Sequence, residues 1–423
     1  MSDVRPQDVL LRVGGGTLKR LQTLASAGAG RGYELPYTFG RATVKRALRD
    51  RDGTARRASA GNLAIDWPTG LVDASGNAIG GPLSEGARTQ LVTDPENFGA
   101  WTVDNLVART SGQADPFGGT GAYLFDSNTP FIFDQVRQDV PFTGNATKAF
   151  ALFIRAGTAA QSEIVVLNSV PTDRHRVAIT WTAGVPSLAT VAGSGALYTP
   201  ILWTTTGWYR IAISANGIIA AETNRFQIRP DSAGGGGTVF VFGANAWNAP
   251  FPSSYQAPGE SAGVADALTS PFNWGPSADI TVLIRLGRPL HADAGASTAL
   301  GVSPGIFSFG AGAAARIGAY FDPAARNIIS VIDTATTDAT QTTPIPAGQP
   351  TICIQYKNLT TGGQTALDVG SGMTAFSSVA TAFSAFSSQT MRVGRYDDEL
   401  YGVVGDLVIA RGLFSRAEMM AIS

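Results

Sequence analysis

The chain holds a single cysteine, Cys353, among its 423 residues. An intrachain disulfide and a cysteine metal cluster are therefore both excluded. Only two histidines are present, His175 and His291, which excludes a histidine-rich metal site. Charge is scarce as well. Asp, Glu, Lys and Arg make up 15% of the residues, and 31 basic against 32 acidic side chains leave a formal net charge of -1. A surface so poor in charge must be built from Thr, Ser, Asn, Gly and backbone, or be buried against other chains. No apolar run approaches the roughly 20 residues a membrane-spanning helix needs, so no membrane insertion is expected. The first residues, MSDVRPQDVLLRVGGG, lack the basic end, apolar stretch and cleavage site of a secretory signal. Synthesis in a reducing cytoplasm, without export through a signal peptide, is the expectation.

Catalytic fingerprints are missing too. There is no G-x-S-x-G elbow, no P-loop and no dinucleotide-binding fingerprint. The four glycines at 234–237 precede a strand-like run and read as a loop. Asp397, Asp398 and Glu399 cluster in RYDDELYG, but neighbouring residues on a turn point apart, whereas glycosidic cleavage needs two acids facing one bond. The expectation is a protein that is not an enzyme and carries no cofactor. A structural calcium ion is the one exception kept open, at Asp397–Glu399 or at Asp126 and Asp134.

What is abundant is β-forming sequence. Hydrophobic residues reach 44%, which with near-zero net charge excludes intrinsic disorder. Gly at 50 residues and Pro at 23 argue against a mainly helical protein. From Tyr123 onward short runs such as KAFALFIRAG, HRVAITWTAG, WYRIAISANG and TVFVFGA are separated by Gly, Pro, Asn or Asp. In HRVAITWTAG, Val177, Ile179 and Trp181 alternate with smaller or polar residues, the period of a half-buried strand. Closely spaced strands without helices between them predict a mainly β protein of two successive antiparallel sandwich or jelly-roll domains. The expected layout is a basic anchor over 1–60, a jelly roll over 61–247, a proline-rich linker over 248–277 and a second sandwich over 278–423. Leu18, Leu21 and Leu24 predict a short helix in the anchor. Ser415 with Glu418 predicts a capping box on a short helix at the end.

Charge is unevenly placed. Residues 1–60 carry 12 Lys or Arg and five Asp or Glu, a surplus of seven. Such asymmetry marks an interaction segment. Tyr33, Tyr37 and Phe39 are not interleaved with the basic run Lys45–Arg57, so docking onto a larger assembly is preferred over nucleic-acid binding. Arg41, Lys45, Arg46 and Arg49 are the candidate anchor residues.

Several ordered elements then repeat a known pattern. Phe39, Arg41, Ala42 and Thr43 precede the Asp52-Gly53 turn. Glu85 to Leu91, Glu96 to Phe98 and Trp101 follow, and then Gly207 to Ile211, Val241 to Asn245, Phe251 to Tyr255 and Ala265-Asp266. This order resembles a segment widespread in bacteriophage and prophage virion proteins, with departures at Gly40, Val44, Lys45 and Gln90. The resemblance implies a jelly roll similar to carbohydrate-binding modules. The closing GVVGDLVIARGLFSRAEMMAI is similar to the end of a concanavalin A-like (laminin G-like) sandwich. Together the resemblances imply a fibre, spike or decoration subunit on a virion surface, made in a bacterial cytoplasm. Expected partners are other virion proteins, host cell-surface polysaccharide and further copies of the chain. A carbohydrate-binding adhesin outside any virion is the first alternative, and a polysaccharide-degrading enzyme the second.

Sugars are bound by flat aromatic faces with polar groups fixing the hydroxyls. Among seven tryptophans, Trp203 in the Thr-rich LWTTTG and Trp247 in NAWNAPF are the candidate carbohydrate-binding platforms. Trp208, in an alternating strand, is expected in the core. His175 opens a strand and is expected to be an exposed polar residue. Cys353 is expected to be a buried, inert thiol.

Overall fold

The computed structural model describes residues 9–14, 38–40, 46–49, 54–58, 65–66, 81–84, 89–127, 134–168, 172–258, 267–271, 279–287, 305–310, 315–322, 325, 327–334, 338–344, 351–357, 362–379, 390–393 and 402–421. The fold is mainly β, in several antiparallel sheets, with almost no helix. Among the described residues no helix is long and apolar enough to cross a membrane.

Residues 89–258 build the first sandwich. One six-stranded sheet runs in the order Val185–Gly193, Asp173–Thr182, Gln161–Leu167, Asn224–Arg229, Gln135–Val140, Thr102–Asp104. The other runs Ile201–Leu202, Tyr209–Ile218, Ala146–Ala156, Gly237–Trp247, Ala122–Ser127, Val107–Gln113. Period-two alternation decides which side chains fill the space between them. In Ala146–Ala156, Phe150, Leu152 and Ile154 enter the core against Ile164, Val177 and Phe226. Ala149, Ala151 and Phe153 of the same strand belong to separate clusters on its other face. Each large side chain removed from water in this way contributes about 1.5–3 kcal/mol.

The second sandwich is assembled from both ends of the chain. Its central strands Thr351–Lys357, Ile280–Leu286 and Gly402–Arg411 lie side by side. Val9–Gly14 and Gly81–Ser84 both pair with Gly402–Arg411. In the facing sheet, Thr38–Gly40 pairs with Ala267–Pro271. Val282, Ile284, Phe307, Ile317, Ile354 and Ile409 meet in the core between the sheets. The segment expected to be a separate anchor thus supplies strands to the last domain, and the first sandwich is inserted between them. The physical reason is an edge: without Val9–Gly14, Gly402–Arg411 would expose its unpaired backbone groups. The Leu18–Leu24 helix expected from the sequence lies outside the described residues.

The expected linker is not one either. Phe251, Ser253, Tyr255, Gln256 and Ala257 are all buried, and Ala267–Pro271 is a strand. The terminal helix Arg416–Ala421 carries the expected capping box: the Ser415 N–H donates to Glu418 Oε2 at 2.8 Å, and the Glu418 N–H donates to Ser415 Oγ at 3.3 Å.

Candidate functional site

Neither predicted tryptophan platform is exposed. Trp247 is 0% and Trp203 5% exposed, and both sit under the proline-rich segment 249–257. Prolines suit such a strap because they lack the N–H that a covering segment would otherwise leave unsatisfied. Its polar groups are met by the strand beneath. Asn245 Nδ2 donates to the Gln256 carbonyl at 2.9 Å, and Trp247 Nε1 donates to Gln256 Oε1 at 3.0 Å. The Arg210 guanidinium lies over Phe153, Trp203 and Trp247 at 5.8–5.9 Å from each ring centroid, and its Nη2 donates to the Ser253 carbonyl. Gly243, at φ +59°, is required here, since a Cβ would stand 2.6 Å from Tyr255. The tryptophans therefore pack around a buried cation, and polar neighbours in sequence signalled a satisfied interior rather than a surface. Trp208 is buried as expected, with Arg155 over its ring at 5.3 Å.

The other predicted residues fall as follows. Arg46 and Arg49 lie on the strand Arg46–Arg49, opposite Ala58 and Ala55, while Arg41, Lys45, His291 and Asp397–Glu399 lie outside the described residues. Asp126 is half-buried, and buried Asp134 accepts from Ser127 Oγ at 2.8 Å. Among the described residues no three His, Cys, Asp or Glu side chains are grouped to hold a metal. Cys353 is buried, and burial pushes its thiol pKa up to about 12. His175 is buried rather than exposed. Its Nδ1 lies 2.5 Å from the Ser214 carbonyl of the facing sheet and its Nε2 lies 3.0 Å from Thr190 Oγ1. Burial lowers its pKa against the opposing pull of the Ser214 bond.

An open cleft of about 400 Å³ lies elsewhere on the first sandwich, lined by Asp94, Glu96, Asn97, Ser111, Thr120 and Tyr123 among others. Its floor is rigid. Phe98 is fully buried and packs on Trp101, Phe125 and Tyr123 with centroids 4.8, 5.6 and 5.8 Å apart. Arg109 Nη1 donates to the Phe98 and Trp101 carbonyls at 2.6 Å each, and Trp101 Nε1 donates to the Asp94 carbonyl at 2.9 Å. The 115–121 loop is wound on Asp115, whose carboxylate accepts the N–H groups of Phe117, Gly119 and Gly121. A Cβ at Gly119 would stand 2.5 Å from that carboxylate.

The cleft's polar groups are individually tethered. The Tyr123 hydroxyl donates to Asn97 Oδ1 at 3.2 Å, the Tyr255 hydroxyl donates to Glu96 Oε1, and Gln138 Nε2 donates to Asp94 Oδ2 at 3.4 Å. Asp94 and Glu96 are the charged residues among the described lining, so the described wall carries negative charge. Half-buried Tyr123 supplies a partly exposed ring beside hydrogen-bonding carboxylates, an amide and hydroxyls. Such a set offers hydrogen-bond donors and acceptors beside an aromatic ring, the chemistry that suits hydroxyl groups. The sequence carries this signal in part: Glu96, Asn97 and Phe98 form one of the ordered elements of the resemblance, which by itself assigns Glu96 and Asn97 no ligand. Tyr123 opens a strand and carried no local mark.

No protein-family model matches the chain, and no curated protein matches it. The class defined by the fold is an all-β protein with antiparallel sandwich architecture.

Proposed function

We propose that this chain is a structural subunit of a phage or phage-like virion, a fibre, spike or decoration protein, whose first sandwich holds host-surface glycan in the Asp94–Tyr123 cleft. The carrying observation is that cleft, where an aromatic ring stands beside hydroxyl-matching groups on a rigid aromatic floor. Its negative charge favours neutral or amino sugars over uronic and sialic acids. Binding rather than catalysis fits the tethering, because the two cleft carboxylates accept hydrogen bonds from Tyr255 and Gln138 within the fold. The virion setting rests on the ordered sequence elements from Phe39 to Asp266, and three contacts join members of those elements, or the residue directly after one, within this chain. Glu96 meets Tyr255, Arg210 meets Ser253 and Asn245 meets Gln256. A carbohydrate-binding adhesin outside a virion would use the same cleft. Immunogold labelling of purified particles with antibody to the chain separates the two: surface labelling supports the virion role, and unlabelled particles from cells that express the chain contradict it.

A further inference from the structure

From Val177 to Tyr209, 33 consecutive residues contain no Asp, Glu, Lys or Arg, although a chain with 15% charge would place about five there. This stretch forms one side of the first sandwich. It includes the edge strand of one sheet, Val185–Gly193, and that of the other, Ile201–Leu202. Of the five most exposed large apolar side chains among the described residues, three lie here: Val185 at 54%, Val191 at 49% and Leu202 at 38%. Val185, Ser187, Ala189 and Val191 are exposed, while Pro186 is buried and Leu188 packs against the core. The neighbouring strands differ sharply. On them Glu163 accepts hydrogen bonds from both Arg176 and Arg229 at 2.9 Å, and Arg137 pairs with Asp104 at 2.6 Å.

We propose that this side joins two copies of the chain, with Val185–Gly193 of each copy pairing antiparallel about a two-fold axis centred on Ala189. The inference is independent of glycan binding. Soluble proteins guard free edges with charges, bulges or short strands. The other described edges of this sandwich have such guards: Val107–Gln113 holds Arg109 and a register shift, and Thr102–Asp104 is three residues long and ends in Asp104. Val185–Gly193, at nine residues, is the longest free edge described, and it carries no guard of charge. The second copy is the occupant because a two-fold axis sets this same uncharged edge of both copies together, with Ala189 opposite Ala189 and Ser187 opposite Val191. An edge carrying charge of one sign would meet like charge there, and this one carries none to repel. A nine-residue strand is about 30 Å long. Specific interfaces bury about 800 Å² per partner, so the rim at Ile201–Leu202 must be covered together with it. Exposed Leu202 is suited to that.

The pairing sets Ser187 of each copy opposite Val191 of the other. Sedimentation equilibrium of the full chain tests it. The unsubstituted chain is expected to self-associate. The variant Ser187→Lys/Val191→Lys and the variant Ser187→Glu/Val191→Glu are each expected to be monomeric with unchanged melting, and an equimolar mixture is expected to re-form the dimer. A monomeric unsubstituted chain, an oligomer indifferent to these charges, or a mixture that stays monomeric overturns the proposal. Should either charged variant fold poorly, Ala189→Cys decides. Air oxidation should give a disulfide-linked dimer across the axis against little background from buried Cys353, and its absence overturns the pairing.

Discussion

Val13 stands opposite Leu407 in an antiparallel strand pair, so the start of the chain completes a sheet built by its end. Leu407 is buried in the core of the second sandwich, and its strand has Ile280–Leu286 on the other side. Strands of the basic first segment are therefore part of a domain.

Deleting residues 1–60 is expected to weaken the second sandwich. Five paired positions from Val9 to Gly14 and three at Thr38–Gly40 would be lost, and at about 0.5–1.5 kcal/mol per net hydrogen bond, with about one bond per paired position, the cost is roughly 4–12 kcal/mol. Thermal unfolding of residues 61–423 should show a lowered transition beside an unchanged one from the inserted sandwich. Melting identical to the full chain would contradict the strand pairing.

Trp247→Ala is expected to destabilise the first sandwich by about 3–5 kcal/mol. It empties a closed site and leaves Gln256 Oε1 without its indole donor. Trp203→Ala should act in the same direction, because its ring packs edge-on against Phe153 at 5.2 Å. Urea unfolding followed by the remaining tryptophans measures both. Unchanged stability with lost glycan binding would restore these residues as a sugar platform.

Strand-forming runs were legible because alternation in stretches such as Val177–Trp181 has a local physical cause. The capping box at Ser415 and Glu418 was legible for the same reason: both partners lie within one turn. What sequence did not reveal was long-range. Nothing near Val9 marks Ala410 as its partner. The strap over Trp247 reads as a linker until its Gln256 is seen to satisfy the indole. His175, at a strand start, looks exposed until the facing Ser214 carbonyl is brought to it. The cleft likewise joins Asn97 to Tyr123 across 26 positions of sequence.

Acid should expose the His175 contact. Its folded pKa lies below the ordinary value near 6.5, so the unfolded chain binds the proton more readily. The contribution to stability is complete above pH about 6.5 and is lost as pH falls through the folded value. Melting temperature measured from pH 7.5 down to pH 4.5 should fall more steeply for the unsubstituted chain than for His175→Gln. Equal slopes would show that this histidine does not titrate on unfolding.

The central claim is that the cleft beside Tyr123 holds glycan. A single weak site of millimolar strength corresponds to about -4 kcal/mol, and display in many copies raises avidity by about 10²–10⁴. The direct measurement is a titration of the full chain, displayed on beads, with neutral, amino and acidic oligosaccharides from host surface polysaccharide, repeated with Tyr123→Ala and Asn97→Ala. The account predicts capture of neutral or amino sugars that both substitutions abolish while each variant keeps a cooperative thermal transition, lowered in Tyr123→Ala by the packing its ring makes with Phe98. Capture that survives both substitutions, or no capture of any glycan at high display density, would contradict it.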